Sequence, residues 1–152
     1  MIARERVTVI DARFAFAPAP DLVVLDLWDG ALPDTPGVRA VKVEPRRWWL
    51  IDAGPGADAV AATVGDAGAC TPIGGGFVRA TLSGCGWRDL LSVSGFVDTS
   101  AAALPPGAVV RTVLHHVAVT VLVTSEAGCE VYCAASYAPT LEALWHGATG
   151  GK

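Results

Sequence analysis

The sequence predicts an α+β fold that is mainly antiparallel sheet with a few short helices. The order strand, strand, helix occurs from residue 38 onward and again in the second half of the chain. The predicted strands are short runs rich in β-branched and aromatic residues, and turns containing proline or glycine separate them. With 152 residues and a mass of 15.6 kDa, residues 1–152 are expected to form a single domain.

The first 37 residues show the least regular pattern. "VTVIDARFAF" (residues 7–16) and "LVVLDLW" (residues 22–28) are predicted strands, because β-branched and aromatic residues suit a pleated surface. "APAPD" between them and "DGALPDTPG" after them have the proline and glycine content of turns and loops.

From residue 38 the pattern is more regular. "VRAVKVE" (residues 38–44) alternates apolar and polar side chains, which indicates a half-buried strand. "PRRWWLIDA" (residues 45–53) supplies a turn and a second strand, so the two segments are predicted to form a hairpin. "GADAVAATVGDAG" (residues 56–68) has a helical apolar stripe that ends in a Gly-rich stop.

In the second half, strands are predicted at residues 77–83 and 129–136, and helices at residues 84–95 and 137–148. "AVVRTVLHHVAVTVLVTS" (residues 108–125) is long enough for two strands that meet near His115 and His116. In the preceding "LPPG", Gly107 is expected to take a positive φ, so that replacing it by valine costs about 1–3 kcal/mol.

The run after the two histidines has two distinct faces, because successive side chains of a strand alternate. One face carries four valines and is predicted to face the core; the other is mixed and is expected to contact a partner or the helices. The valine face consists of Val117, Val119, Val121 and Val123, and the mixed face of Ala118, Thr120, Leu122 and Thr124.

Composition and charge exclude several classes of protein. Hydrophobic residues make up 52% and charged residues 17%, against about 25% charged in an ordinary domain, so we expect other chains to cover the excess apolar surface. No apolar run reaches the roughly 20 residues of a membrane helix, and the start lacks a signal-peptide pattern; a cytoplasmic protein is expected. The net charge of −4 and scattered basic residues argue against nucleic-acid binding.

Neither cysteines nor histidines form a recognisable metal motif. The four cysteines are predicted to be free thiols: Cys70, Cys85, Cys129 and Cys133. The last two would lie about 13 Å apart along a strand, beyond the roughly 7 Å that a disulfide allows. His115 and His116 would point to opposite faces of a strand, and His146 is remote in sequence, so no metal site is predicted.

Other motifs with catalytic potential are incomplete. "GGGF" at residues 74–77 lacks the Lys-Ser/Thr of a P-loop, and "GPG" at residues 54–56 is most simply a helix-initiating turn. In "SGCGW", Cys85 occupies the place of a nucleophilic serine, but no histidine follows nearby in sequence. We therefore assign no catalytic, cofactor-binding or metal-binding residue.

Several segments resemble the gamma subunit of heterotetrameric sarcosine oxidase in their order and spacing. They are "VEPRRWWLID", "VRATLSGCGWRDLL", "VDTSAAALPPGAVVRTVL" and the closing "SYAPTLEALWHGA". The resemblance in motif order extends over residues 38–148. The chain differs from that family before residue 77, where "TPIGGG" replaces an Asp-x-Ser segment. The resemblance implies a fold similar to the folate-binding domain of the glycine-cleavage aminomethyltransferase.

The resemblance also implies a non-catalytic accessory subunit of a flavin-dependent complex that oxidises sarcosine or a similar N-methyl amino acid. This chain would bind no cofactor, while FAD, FMN, NAD and tetrahydrofolate would belong to larger flavoprotein subunits. Self-association is the other expected form of assembly. The alternative function is a stand-alone enzyme or binding protein for a pterin or amino-acid-like ligand, with Cys85, Trp87, Arg88, His115 and His116 as candidate site residues.

Overall fold

The protein consists of two antiparallel sheets packed face to face, with helices on their outer surfaces. The computed structural model describes residues 8–93 and 95–151. These ranges contain nine strands and three short α-helices, which confirms the predicted α+β class with mainly antiparallel sheet.

The larger sheet has five strands in the order β1-β6-β9-β8-β7. Its strands are β1 (Arg13–Pro18), β6 (Phe77–Ser83), β7 (Val109–Leu114), β8 (Val117–Ser125) and β9 (Gly128–Ala134). The first strand was predicted at residues 7–16 but begins at Arg13, where its pairing with Ser83 begins. Residue 7 lies outside the described residues.

The smaller sheet has four strands in the order β3-β4-β2-β5. Its strands are β2 (Val23–Leu27), β3 (Arg39–Glu44), β4 (Arg47–Ile51) and β5 (Gly68–Pro72). The predicted hairpin of β3 and β4 is confirmed. Strand β5 was not predicted: a Cβ atom at Gly68 would lie 2.3 Å from the carbonyl oxygen of Asp26. The glycine therefore permits close pairing with β2, although in the sequence it resembles a helix stop.

The helices cover the outer faces of both sheets. They are α1 (Gly56–Val64), α2 (Trp87–Ser92) and α3 (Ala138–Ala148). Helix α1 packs on the four-stranded sheet, and its start at Gly56 confirms that "GPG" initiates a helix. Helices α2 and α3 pack on the five-stranded sheet, where Trp145 of α3 stacks on Phe16 of β1 with ring centroids 5.5 Å apart.

The two faces of β8 are both covered within the chain. The valine face packs against α2 and α3 and is core, as predicted. The mixed face was expected to contact a partner or the helices, and this is wrong for Leu122, which packs with Trp49 of β4 and is 2% exposed. The reason is that the four-stranded sheet lies over this face, an arrangement that alternation along one strand does not reveal.

The loop before β7 has the backbone predicted for it. Gly107 has a φ of 86°, in the region that side chains with a Cβ atom resist. Its N–H donates to the carbonyl of Val123 at 2.8 Å, which connects the loop to β8.

Candidate functional site

An open cleft lies between the two sheets, with the β3–β4 hairpin on one side and strands β7 and β8 on the other. We call it the inter-sheet cleft; its volume is about 640 Å³. Its lining residues are Val43, Glu44, Pro45, Trp49, Phe77, Arg111, Thr112, Val113, Ala118, Val119, Thr120, Tyr132 and Ala134. Most of these side chains are apolar, and the two charged ones are Glu44 and Arg111.

Three aromatic rings form the inner part of the inter-sheet cleft. The ring of Trp49 from the smaller sheet meets Phe77 and Tyr132 of the larger sheet edge-on, at 5.6 Å in both cases. Trp49 is 5% exposed and Tyr132 is 1% exposed, whereas the Arg111 side chain is 50% exposed. The aromatic groups therefore lie at the floor and the charged groups at the mouth.

A chain of ion pairs among four charged residues begins at the mouth, where Glu44 and Arg111 line the cleft. Arg111 of β7 pairs with Glu44 of β3, and thereby bridges the two sheets. Arg47 also contacts Glu44, at 3.3 Å, and it holds Asp26 in a bidentate pair at 2.7 and 3.1 Å. The hydrogen bond from Arg47 lowers the pKa of Asp26 below its ordinary value. Glu44 thus has two cationic partners.

A second chain of ion pairs joins the sheets outside the cleft. Arg79 contacts Asp52 at 2.7 Å and Glu130 at 3.8 Å, and Glu130 accepts from Arg39 at 2.8 Å. The Tyr132 hydroxyl donates to Glu130 at 3.2 Å. Burial raises the pKa of Tyr132 to about 12, so at neutral pH it is a protonated hydroxyl.

Cys85, Trp87 and Arg88 have structural roles around the start of α2. The Cys85 thiol lies 3.3 Å from a carboxylate oxygen of Asp11, and this hydrogen bond raises the thiol pKa, which opposes formation of the nucleophilic thiolate. Trp87 is buried and its indole N–H donates to the carbonyl of Glu126 at 3.0 Å. The Arg88 guanidinium lies 4.2 Å from the Trp87 ring centroid and donates to three backbone carbonyls: those of Thr99, Ser100 and Leu104.

His115 and His116 occupy the two-residue turn between β7 and β8. Their φ angles are 46° and 67°, as in a type I′ turn, where histidine is tolerated better than most side chains. The prediction that two strands meet at these histidines is confirmed. The expectation that the histidines point to opposite faces of a strand is wrong, because they form the turn itself, with rings 5.7 Å apart. They line a separate shallow cavity with Phe96, and Cys85, Trp87 and Arg88 are not part of its lining. The five candidate residues of the alternative function therefore do not share one cavity.

The four cysteines are unpaired in the structure. Cys129 and Cys133 share one face of β9 in the helix-covered core, as the even spacing predicts. Burial raises the pKa of Cys129 to about 12 and also raises that of Cys133. Within residues 8–93 and 95–151, no three potential metal-ligating side chains lie close enough together to hold an ion.

Large apolar side chains are exposed at several places. Phe96, after α2, is 92% exposed, and Val93 beside it is 44% exposed. Trp28 at the end of β2 is 58% exposed, although its indole N–H donates to the carbonyl of Asp66. In the part of the chain that is described, no helix has the length and hydrophobicity needed to span a membrane.

The sequence matches no protein-family model and no curated protein. The structure is similar to a chain of the heterotetrameric sarcosine oxidase from Corynebacterium sp. U-96, solved in complex with pyrrole 2-carboxylate. The TM-score is 0.78 at 14% identity, and the similarity covers 92% of this chain and 85% of that chain. The fold therefore resembles that of this sarcosine oxidase chain. The regulatory subunit of aspartate kinase from Thermus thermophilus superposes over 93% of this chain and 98% of its own, with a TM-score of 0.46 and 14% identity.

Sequence reasoning missed the inter-sheet cleft. The signal for Arg111 is a single arginine in an otherwise apolar strand, and Glu44 ends an alternating strand. Such residues are ordinarily solvated ends of strands, and only the approach of the two sheets places them side by side.

Proposed function

We propose that this chain is a non-catalytic accessory subunit of a multi-subunit, flavin-dependent complex that oxidises an N-methyl amino acid, in the role of a sarcosine oxidase gamma subunit. The observation that carries the proposal is the nearly end-to-end fold similarity to one chain of a heterotetrameric sarcosine oxidase. FAD, FMN, NAD and tetrahydrofolate would then be bound by the partner subunits.

The surface of the chain supports an association role. Phe96 and Val93 form an exposed apolar pair next to the histidine turn. An aromatic ring that is 92% exposed gains nothing from hydrophobic burial in the isolated chain, but it gains stability when a partner covers it. The Cys85 thiol donates to a carboxylate oxygen of Asp11, and the Arg88 guanidinium donates to backbone carbonyls, so both candidate residues of the alternative function already have partners within the chain.

Purification of the tagged chain from its native cells tests the proposal. We expect it to co-elute with larger chains that show flavin absorbance, and the complex to consume oxygen when sarcosine is added. The variant Phe96→Asp should weaken co-elution without lowering the melting temperature, because Phe96 is already in water. Tyr137→Asp, at another exposed aromatic residue that is 53% exposed, is the matched control. A chain that elutes without any flavoprotein would overturn the proposal.

A further inference from the structure

We propose that the inter-sheet cleft binds a small organic carboxylate with a flat apolar body, and that Arg111 holds the carboxylate. This inference concerns a ligand of this chain itself and does not depend on its assembly with flavoproteins. It rests on the shape of the cleft, the arrangement of its walls and the exchangeable ion pair at its mouth.

The size and walls of the cleft suit a small molecule. Its volume of about 640 Å³ lies within the range of roughly 300–1,000 Å³ that is usual for small-molecule sites. The walls include Val113 and Ala118, which face each other across β7 and β8, and Phe77 at the floor is only partly buried. A flat apolar ligand can therefore cover the exposed parts of these side chains.

The ion pairs at the mouth favour a negatively charged ligand. The pair of Arg111 with Glu44 can open because Glu44 keeps its second partner Arg47. When a carboxylate takes the place of Glu44 on Arg111, Glu44 shares Arg47 with Asp26 and still has a cationic partner. Planar guanidinium groups also bind carboxylates in bidentate geometry, so the exchange replaces one good interaction by another.

An amine ligand is opposed by the same arrangement. It would compete for Glu44 with both Arg111 and Arg47, and it would lie next to the positive charge of Arg111. The remaining polar group is the hydroxyl of Thr120, which is 3% exposed and lines the cleft. It is able to donate a hydrogen bond to a ligand oxygen.

Isothermal titration calorimetry tests whether the cleft prefers a negatively charged ligand. The measurement uses the full chain in the assembly in which it purifies. The probes are indole-3-acetate, its neutral amide and tryptamine, which share one ring and differ in charge. We expect the acid to bind about five- to tenfold more tightly than the amide, and tryptamine to bind most weakly. Equal binding of acid and amide would overturn the proposal.

Three variants locate the site. Arg111→Gln should weaken acid binding about five- to tenfold, whereas Glu44→Gln should strengthen it about two- to fivefold because a competitor for Arg111 is removed. Ala118→Trp should abolish binding by filling the cleft. Arg13→Gln changes an exposed arginine on the far edge strand of the same sheet and should leave the affinity unchanged.

Two further results would contradict the proposal. One is that no probe binds at millimolar concentration. The other is that Arg111→Gln and Glu44→Gln change acid binding in the same direction, since a carboxylate that competes with Glu44 for Arg111 predicts opposite effects. If no probe binds and Ala118→Trp prevents assembly with a partner protein, the cleft is part of the interface with that protein and not a small-molecule site.

Discussion

The helix-covered face of the five-stranded sheet and its opposite, inter-sheet face are stabilised in different ways. Among the described residues, the helix-covered core contains 17 buried residues, all aliphatic, aromatic or cysteine, whereas the inter-sheet core contains six. Around the six lie two chains of ion pairs and an open cleft. The first face holds the fold together, and the second leaves room for polar groups and for a ligand.

Leu122 in the inter-sheet core gives the largest expected effect on stability. Leu122→Glu places a carboxylate without a partner between the sheets and should lower the free energy of unfolding by about 3–5 kcal/mol or more. Denaturant unfolding followed by circular dichroism measures the change. Ala118→Glu lies on the same face of the same strand, but in the open cleft, and should cost less than about 1 kcal/mol. Equal losses in the two variants would mean that the cleft is closed in solution.

Trp145 tests the helix-covered face. Its side chain is fully buried and stacks on Phe16, so Trp145→Ala should lower the free energy of unfolding by about 3–5 kcal/mol. Leu144→Ala, at the neighbouring and only partly buried position of α3, is the control and should cost distinctly less. A similar, small loss in both variants would show that α3 is not needed for the stability of the sheet.

Arg79 tests the polar part of the inter-sheet face. Arg79→Gln removes the contacts with Asp52 and Glu130, and the Glu130 side chain is only 14% exposed. We expect a loss of about 1–2 kcal/mol in chemical denaturation. Arg13→Gln, an exposed arginine on the same sheet, should remain within about 0.5 kcal/mol of the wild type. A neutral Arg79→Gln would show that the ion pairs add no stability to this face.

Gly107 tests whether the backbone at the entry to β7 is strained. No atom lies within 4 Å of a Cβ atom built there, but φ is 86°. Gly107→Ala should therefore cost about 1 kcal/mol through backbone strain alone. Gly76→Ala also has open space but no positive φ, and its melting temperature should match the wild type. An unchanged melting temperature for Gly107→Ala would contradict the expected strain.

The smallest expected effect concerns Asp26 and pH. The folded-state pKa of Asp26 is lowered from its ordinary value of 3.8 by the hydrogen bond from Arg47. Between the two pKa values the unfolded chain binds more protons, so stability rises with pH in that window. The stability difference between wild type and Asp26→Asn should be a fraction of 1 kcal/mol at neutral pH and should shrink as the pH falls below 3.8. If the stability difference between wild type and Asp26→Asn grew as the pH falls, the lowered pKa of Asp26 would be contradicted.

The sequence by itself determined the class of the fold, most strands and all three helices, because periodicity and turn residues are local signals. It also identified the valine face of β8 as core and the positive φ of Gly107. It placed the junction of β7 and β8 at His115 and His116, where the turn lies. It did not reveal β5, where Gly68 serves close strand pairing. The inter-sheet position of Leu122 and the meeting of Arg111 with Glu44 were decided by the tertiary structure alone. The partners in both cases are distant in sequence and come together only because the two sheets pack face to face.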